Sequence, residues 1–155
     1  MKLEEAIKST KFKSSGHKAL LNVMYTAYWL KSSFTAELKE FDITLEQFNV
    51  LRILRGSHPE QLCVKDIGSR IIEKSSNVPR ILDRLVLKKL ARRTTSKEDK
   101  RETLISITEK GLELLAQATA KVDAVRERML GITEEDAAAL SELLEKMREG
   151  VQDVA

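Results

Sequence analysis

The stretch SSNVPRILDRLVLKKLARRTTSKEDKRETLISIT, residues 75–108, decides the fold. Its first part repeats apolar residues at helical spacing, with Val78, Ile81, Leu82 and Leu85 at i, i+3, i+4 and i+7. That spacing gives a short helix one apolar stripe. Ser75 or Ser76 supplies its N-cap, because a side-chain oxygen can accept an orphan N–H of the first turn. Pro79 falls in that turn, where a missing N–H costs little. Leu90 to Thr95 and Thr103 to Ile107 read as two short β-strands, although Leu104 and Ile105 interrupt strict alternation. Six consecutive charges stand between them, from Lys97 to Glu102, as the tip of a β-hairpin.

Helices surround this unit. Residues 64–73 form a short helical segment with Val64, Ile67, Ile71 and Ile72 on its inner side, and EKSSN is the break before the next helix. Upstream, ITLEQFNVLRIL (residues 43–54) opens with a capping box, Thr44 with Gln47, and repeats Leu45, Phe48, Leu51 and Leu54. Gly56 and Pro59 end that helix. Residues 16–40 read as one amphipathic helix. Downstream, Thr108 caps a long helix to about residue 130, Gly131 stops it, and Thr133 with Asp136 caps a last helix to about residue 149. No internal repeat appears.

Net charge is only +3, yet residues 74–101 hold ten basic and three acidic side chains, a local +7. Such a window is the footprint of a polyanion-binding surface or a solvated charged face. No apolar run approaches the roughly 18 residues of a membrane span, and the N-terminus has no signal-peptide core. One cysteine, Cys63, precludes an internal disulfide and fits a cytoplasmic protein. Cys63 reads as a small buried hydrophobe. His17, His58 and Cys63 give no metal-ligand spacing, so neither metal nor cofactor is expected. There is no phosphate loop, no GxGxxG, no HExxH and no nucleophile paired with a base, so no enzyme is expected.

Helix, short turn, helix and hairpin make a helix-turn-helix with a wing. The second helix of such a unit enters the major groove by its N-terminal residues. Here those are Ser75, Ser76, Asn77 and Arg80, with Arg84 and Lys88 further along the outward side. Arginine can meet guanine in two places, and asparagine can do the same for adenine.

The chain from about residue 20 to 149 resembles the MarR family of winged-helix transcription regulators. DKRETLISITEKG, residues 99–111, resembles the family's wing signature, with Asp99, Arg101, Ile107, Thr108 and Gly111 in register. SSNVPRILDRLVLKKLARR resembles its recognition helix and following strand, and ITLEQFNVLRIL its second helix. The resemblance implies a mainly α fold: a winged helix-turn-helix with a small β-hairpin wing and N- and C-terminal dimerisation helices. Residues 1–155 would form one such domain, with a DNA-binding lobe at 43–107 and dimerisation helices at 10–42 and 108–155. It implies a homodimer on double-stranded, pseudo-palindromic DNA. Arg101 would enter the minor groove, where negative potential is concentrated. Asp99 would aim Arg101 and brace the turn, while Lys97 and Lys100 contact the backbone.

Two positions depart from the family. Lys89 stands where glycine is usual after the recognition helix, so it either takes a strained left-handed conformation or uses another turn. Pro79 stands where a small hydroxyl residue is common.

The resemblance also implies a sensor for a small aromatic or phenolic ligand. His17, Tyr25, Tyr28 and Trp29 could line its pocket, or serve as core and dimer packing. The function expected is a sequence-specific, ligand-released dimeric repressor. The alternative is a winged-helix protein-interaction module without DNA binding.

Overall fold

In the computed structural model, residues 1–74, 76–129 and 131–149 are described. The chain divides into two compact units, Met1–Val122 and one starting at Asp123. The first holds helices α1 (Leu3–Ile7), α2 (Ser15–Leu38), α3 (Leu45–Ser57), α4 (Val64–Arg70) and α5 (Val78–Leu87). It also holds strands β1 (Leu62–Cys63), β2 (Ala91–Thr95) and β3 (Thr103–Ile107). Helix α6 (Glu109–Met129) begins in it. The second unit holds the end of α6 and α7 (Glu134–Glu149).

Local chemistry explains the helix starts. Thr44 and Gln47 form the reciprocal capping box, each side chain taking the other's backbone N–H at 3.2 Å. Thr108 Oγ1 accepts the Gly111 N–H at 3.0 Å, and Thr133 Oγ1 accepts the Asp136 N–H at 3.1 Å. The apolar stripes meet in one core of the first unit. Leu38, Phe48, Val50, Leu51, Leu54, Ile67, Leu82, Leu85, Ile105 and Leu115 are all buried there.

The sheet is antiparallel in the order β1-β3-β2. The hairpin pairs Ala91 with Ile107 and Thr95 with Thr103, while Leu62 of β1 pairs with Ile105. β1 is absent from the sequence reading because two residues carry no periodicity.

Four other expectations are corrected. Ile72 is 91% exposed rather than inward. α4 ends at Arg70 and Ile71 is extended, so consecutive side chains there point to opposite sides. Gly56 lies inside α3, which runs on to Ser57 and stops before Pro59. α2 ends at Leu38, and residues 39–41 tighten into a 3-10 turn. Cys63 is half-buried and caps α4, its Sγ accepting the Asp66 N–H at 3.4 Å.

The end of α5 is closed by a Schellman arrangement: Lys89 N–H to Val86 O, and Leu90 N–H to Leu85 O, both at 2.9 Å. This geometry requires a left-handed residue, and Lys89 supplies it with φ 60°. Of the two alternatives for Lys89, the strained one is realised, at about 1 kcal/mol. The next three carbonyls are taken by the start of α6. Lys88 O accepts from Lys110 Nζ, Lys89 O from the Thr108 hydroxyl, and Leu90 O from the Thr108 N–H. Gly111 permits that approach, since a Cβ there would lie 2.2 Å from Leu90 O.

Two outcomes follow for thermal unfolding at fixed protein concentration. Lys89→Gly should stabilise by about 1 kcal/mol, raising the midpoint by a few degrees. Gly111→Ala should destabilise by about 2–3 kcal/mol, because backbone rather than a flexible side chain must give way. An unchanged midpoint for Gly111→Ala would contradict the close approach.

Candidate nucleic-acid interface

The outward side of α5 carries the residues expected to face DNA, and the structure sorts them by what they already bind. Asn77, rather than a serine, is the N-cap of α5; its Oδ1 accepts the Arg80 N–H at 3.1 Å. Ser76 donates its N–H to Glu73 O at 2.9 Å. Ser75 lies outside the described residues. Arg80 and Arg84 are exposed, and their guanidinium groups have no partner among the described residues.

Four ion pairs surround α5. Asp83 is held by Arg93 of β2 at 2.7 Å. Lys88 does not stand free as expected: its Nζ binds Asp42 Oδ2 at 3.0 Å and also takes the Asp42 carbonyl. Lys31 of α2 reaches Glu73 at 3.1 Å and Glu46 of α3 at 3.4 Å, bridging three segments. The Glu73 hydrogen bond raises the Lys31 pKa above the ordinary lysine value, against partial desolvation. Burial works against the charge on Glu46. Its own backbone N–H, the Thr44 hydroxyl and Lys31 outweigh that and hold its carboxyl below the usual range. Arg80, Arg84, Lys39 and Lys88, together with Asp42, Glu46 and Glu73, are among the residues lining an open cleft of about 820 Å³.

The wing tip is built on a residue the sequence reading passed over. Ser96 is only 7% exposed. Its Oγ accepts the N–H of Glu98 at 3.2 Å and of Asp99 at 3.3 Å, and its own N–H donates to Glu102 O at 3.0 Å. A serine two and three residues before the N–H groups it takes is a legible signal for such a turn. Asp99 Oδ1 accepts the Arg101 backbone N–H at 2.9 Å. Asp99 thus braces the turn and holds Arg101 through its backbone N–H, with no ion pair to the Arg101 guanidinium among the described residues. Lys97, Lys100 and Arg101 are left exposed without side-chain partners among the described residues. Nothing in the structure explains Glu98. Arg92, exposed on β2 and likewise unpartnered among the described residues, joins the basic set unforeseen.

The four residues expected to meet a small ligand all lie on α2. Tyr28 is 70% exposed and Trp29 is exposed, whereas Tyr25 is half-buried. His17 is occupied locally: its Nδ1 accepts the Lys13 N–H at 3.2 Å and its ring meets Phe12 edge-on. The cleft at α3 and α5, and a smaller one around Arg52 and Ile72, are lined by none of the four.

Residues 32–118 match the family described as Transcriptional regulator SarA/Rot. The HTH-type transcriptional regulator SarZ of Staphylococcus aureus is 33% identical over 78 residues, which are 50% of this chain and 51% of SarZ. The chain thus spans about half the length of the curated relatives it matches. A crystal structure of a MarR transcription factor from Planctomyces limnophilus is 30% identical with a TM-score of 0.68, covering 89% of this chain and 98% of that one. The S. aureus MepR–DNA complex is 25% identical with a TM-score of 0.76, covering 91% of this chain and 100% of MepR. With its helix-turn-helix, its wing and this family match over more than half its length, the chain belongs to the SarA/Rot transcriptional regulators, MarR-like winged-helix proteins and not enzymes.

Proposed function

We propose that this protein is a sequence-specific, DNA-binding repressor that acts in the cytoplasm as a homodimer on a pseudo-palindromic operator. One observation carries the reading. Arg80 and Arg84 on α5, and Lys97, Lys100 and Arg101 on the wing, are exposed with no ion-pair partner among the described residues, while Asp83, Asp42 and Glu73 around α5 are each held by a lysine or arginine. Phosphate is the natural counter-charge for such a set. Arg80 is placed to read a base, Arg101 to enter the minor groove, and the lysines to hold the backbone. Ser76 and Asn77 line the same cleft as Arg80 and Arg84. MepR, solved as a DNA complex, supports the assignment by its similarity. Dimerisation is supported by exposed apolar residues at helical spacing, Leu20, Met24 and Tyr28 on α2 and Leu140, Leu143 and Met147 on α7.

Fluorescence anisotropy on a duplex selected from a random pool tests this. Arg101→Ala should weaken binding about tenfold or more and flatten the salt dependence by roughly one counterion. Arg80→Ala should cost about 1–3 kcal/mol and relax preference at one base pair. Ser96→Ala removes no charge, so it should weaken binding by loosening the tip while leaving the salt slope unchanged. Unaltered affinity in both arginine variants would remove the proposed face, and no duplex binding at low salt would favour a protein-interaction role.

Release by a small aromatic or phenolic ligand is part of the same proposal, with Tyr25, Tyr28, Trp29 and His17 as its contacts. Trp29 is the sole tryptophan, so it reports directly. Benzoate, titrated as a simple aromatic acid, should change Trp29 fluorescence and raise the Kd for DNA over the same concentration range. A ligand that shifts DNA affinity without altering Trp29 emission would place the sensor elsewhere.

A further inference from the structure

The first turn of α5 is restricted in what it can read. Asn77 has its Oδ1 committed to the Arg80 N–H at 3.1 Å. The two-point contact with adenine uses amide oxygen and nitrogen together, so it is closed while the cap holds. Asp83, one turn on, could accept from cytosine N4, but Arg93 holds its carboxylate at 2.7 Å. Val78 turns inward onto the core. Asn77 keeps only its amide nitrogen as a donor, and the consecutive Pro79 and Arg80 are both exposed.

Pro79 is chemically specific in this place. Its ring has neither donor nor acceptor. It is rigid, with φ fixed by the ring, and it sits in the turn that a recognition helix presents to base edges. Among the major-groove edges, only thymine offers an apolar group, its C5-methyl. Any other edge would lose water against a surface that returns no hydrogen bond.

We propose that Pro79 is a specificity-determining residue that reads a thymine methyl next to the base pair met by Arg80. The inference rests on the DNA-binding reading above and deepens it.

The test uses the full chain and the selected duplex. Each thymine of a half-site is replaced in turn by deoxyuridine, which deletes only the methyl. For the wild-type protein, one such change should weaken binding about fourfold, the worth of burying one methyl group. In Pro79→Ser the ratio of the two Kd values at that position should fall to about one. Pro79→Ala, which keeps a smaller apolar group, should give an intermediate ratio. Each ratio is taken within one variant, so a general loss of affinity or of folded protein cancels. Wild-type protein that prefers a sequence yet ignores every methyl overturns the role of Pro79 and leaves DNA binding standing. Methyl dependence that survives in Pro79→Ser overturns it too. Failure to bind any duplex overturns both.

Discussion

The contact between Leu90 and Gly111 is the constraint on which the winged helix-turn-helix depends. A helix end leaves carbonyls without partners, and water usually takes them. Here the carbonyls of Lys88, Lys89 and Leu90 are taken by Lys110 and Thr108 instead. Each such bond contributes about 1 kcal/mol net. Together they offset the left-handed strain at Lys89, and Leu90 is buried as they form. β2 starts one residue later, at Ala91. The directions of α5, of the wing and of the first turns of α6 are therefore set at one point. Gly111 is indispensable to it because any side chain would fall on the Leu90 carbonyl.

Charge is sorted around this frame. A window with net +7 would repel itself, and its acidic residues relieve that where they do least harm to an outward field. Asp83 of the window pairs with Arg93, and Asp42, from outside it, pairs with Lys88. Asp99 accepts the Arg101 backbone N–H and forms no ion pair with the Arg101 guanidinium among the described residues. An acidic residue inside a basic tip is thus a structural element of the turn. The remaining cations fall into two groups, one on α5 and one on the wing, the arrangement a groove and its flanking backbone would require.

The parts of this fold legible in the sequence are those fixed by local chemistry. The stripe of Val78, Ile81, Leu82 and Leu85, the caps at Thr44, Thr108 and Thr133, and the hairpin strands each depend on residues within one or two turns. Three cap-competent residues in a row, Ser75 to Asn77, defeat that logic, because the path of the chain into the helix selects among them. Ile72 looked inward only while α4 was extended past Arg70. β1 exists through its pairing with β3, and the partners of Lys88, Asp83 and Lys31 come from segments remote in sequence. Lys89 was legible as a choice between two turns, and its φ decided it. Ser96 is a local signal as well, since it caps N–H groups only two and three residues ahead, at Glu98 and Asp99.

The two ends of α5 are held by different physics. Its C-terminal end is fixed by main-chain bonds around the buried Leu90, and loosening it requires exposing those groups. Its N-terminal end is held by the Asn77 cap and by a preceding turn that Lys31 grips through Glu73. That ion pair is about half exposed on both sides, where such pairs contribute roughly 0–1 kcal/mol. Apolar packing adds to both: Val78 and Ile81 pack against the core at the N-terminal half of α5, and Leu82 is fully buried there. Burying a side chain of that size contributes about 1.5–3 kcal/mol, more than the exposed bridge. The start of α5 is therefore fixed by its buried stripe and its Asn77 cap, and the Lys31 bridge only trims the turn before it.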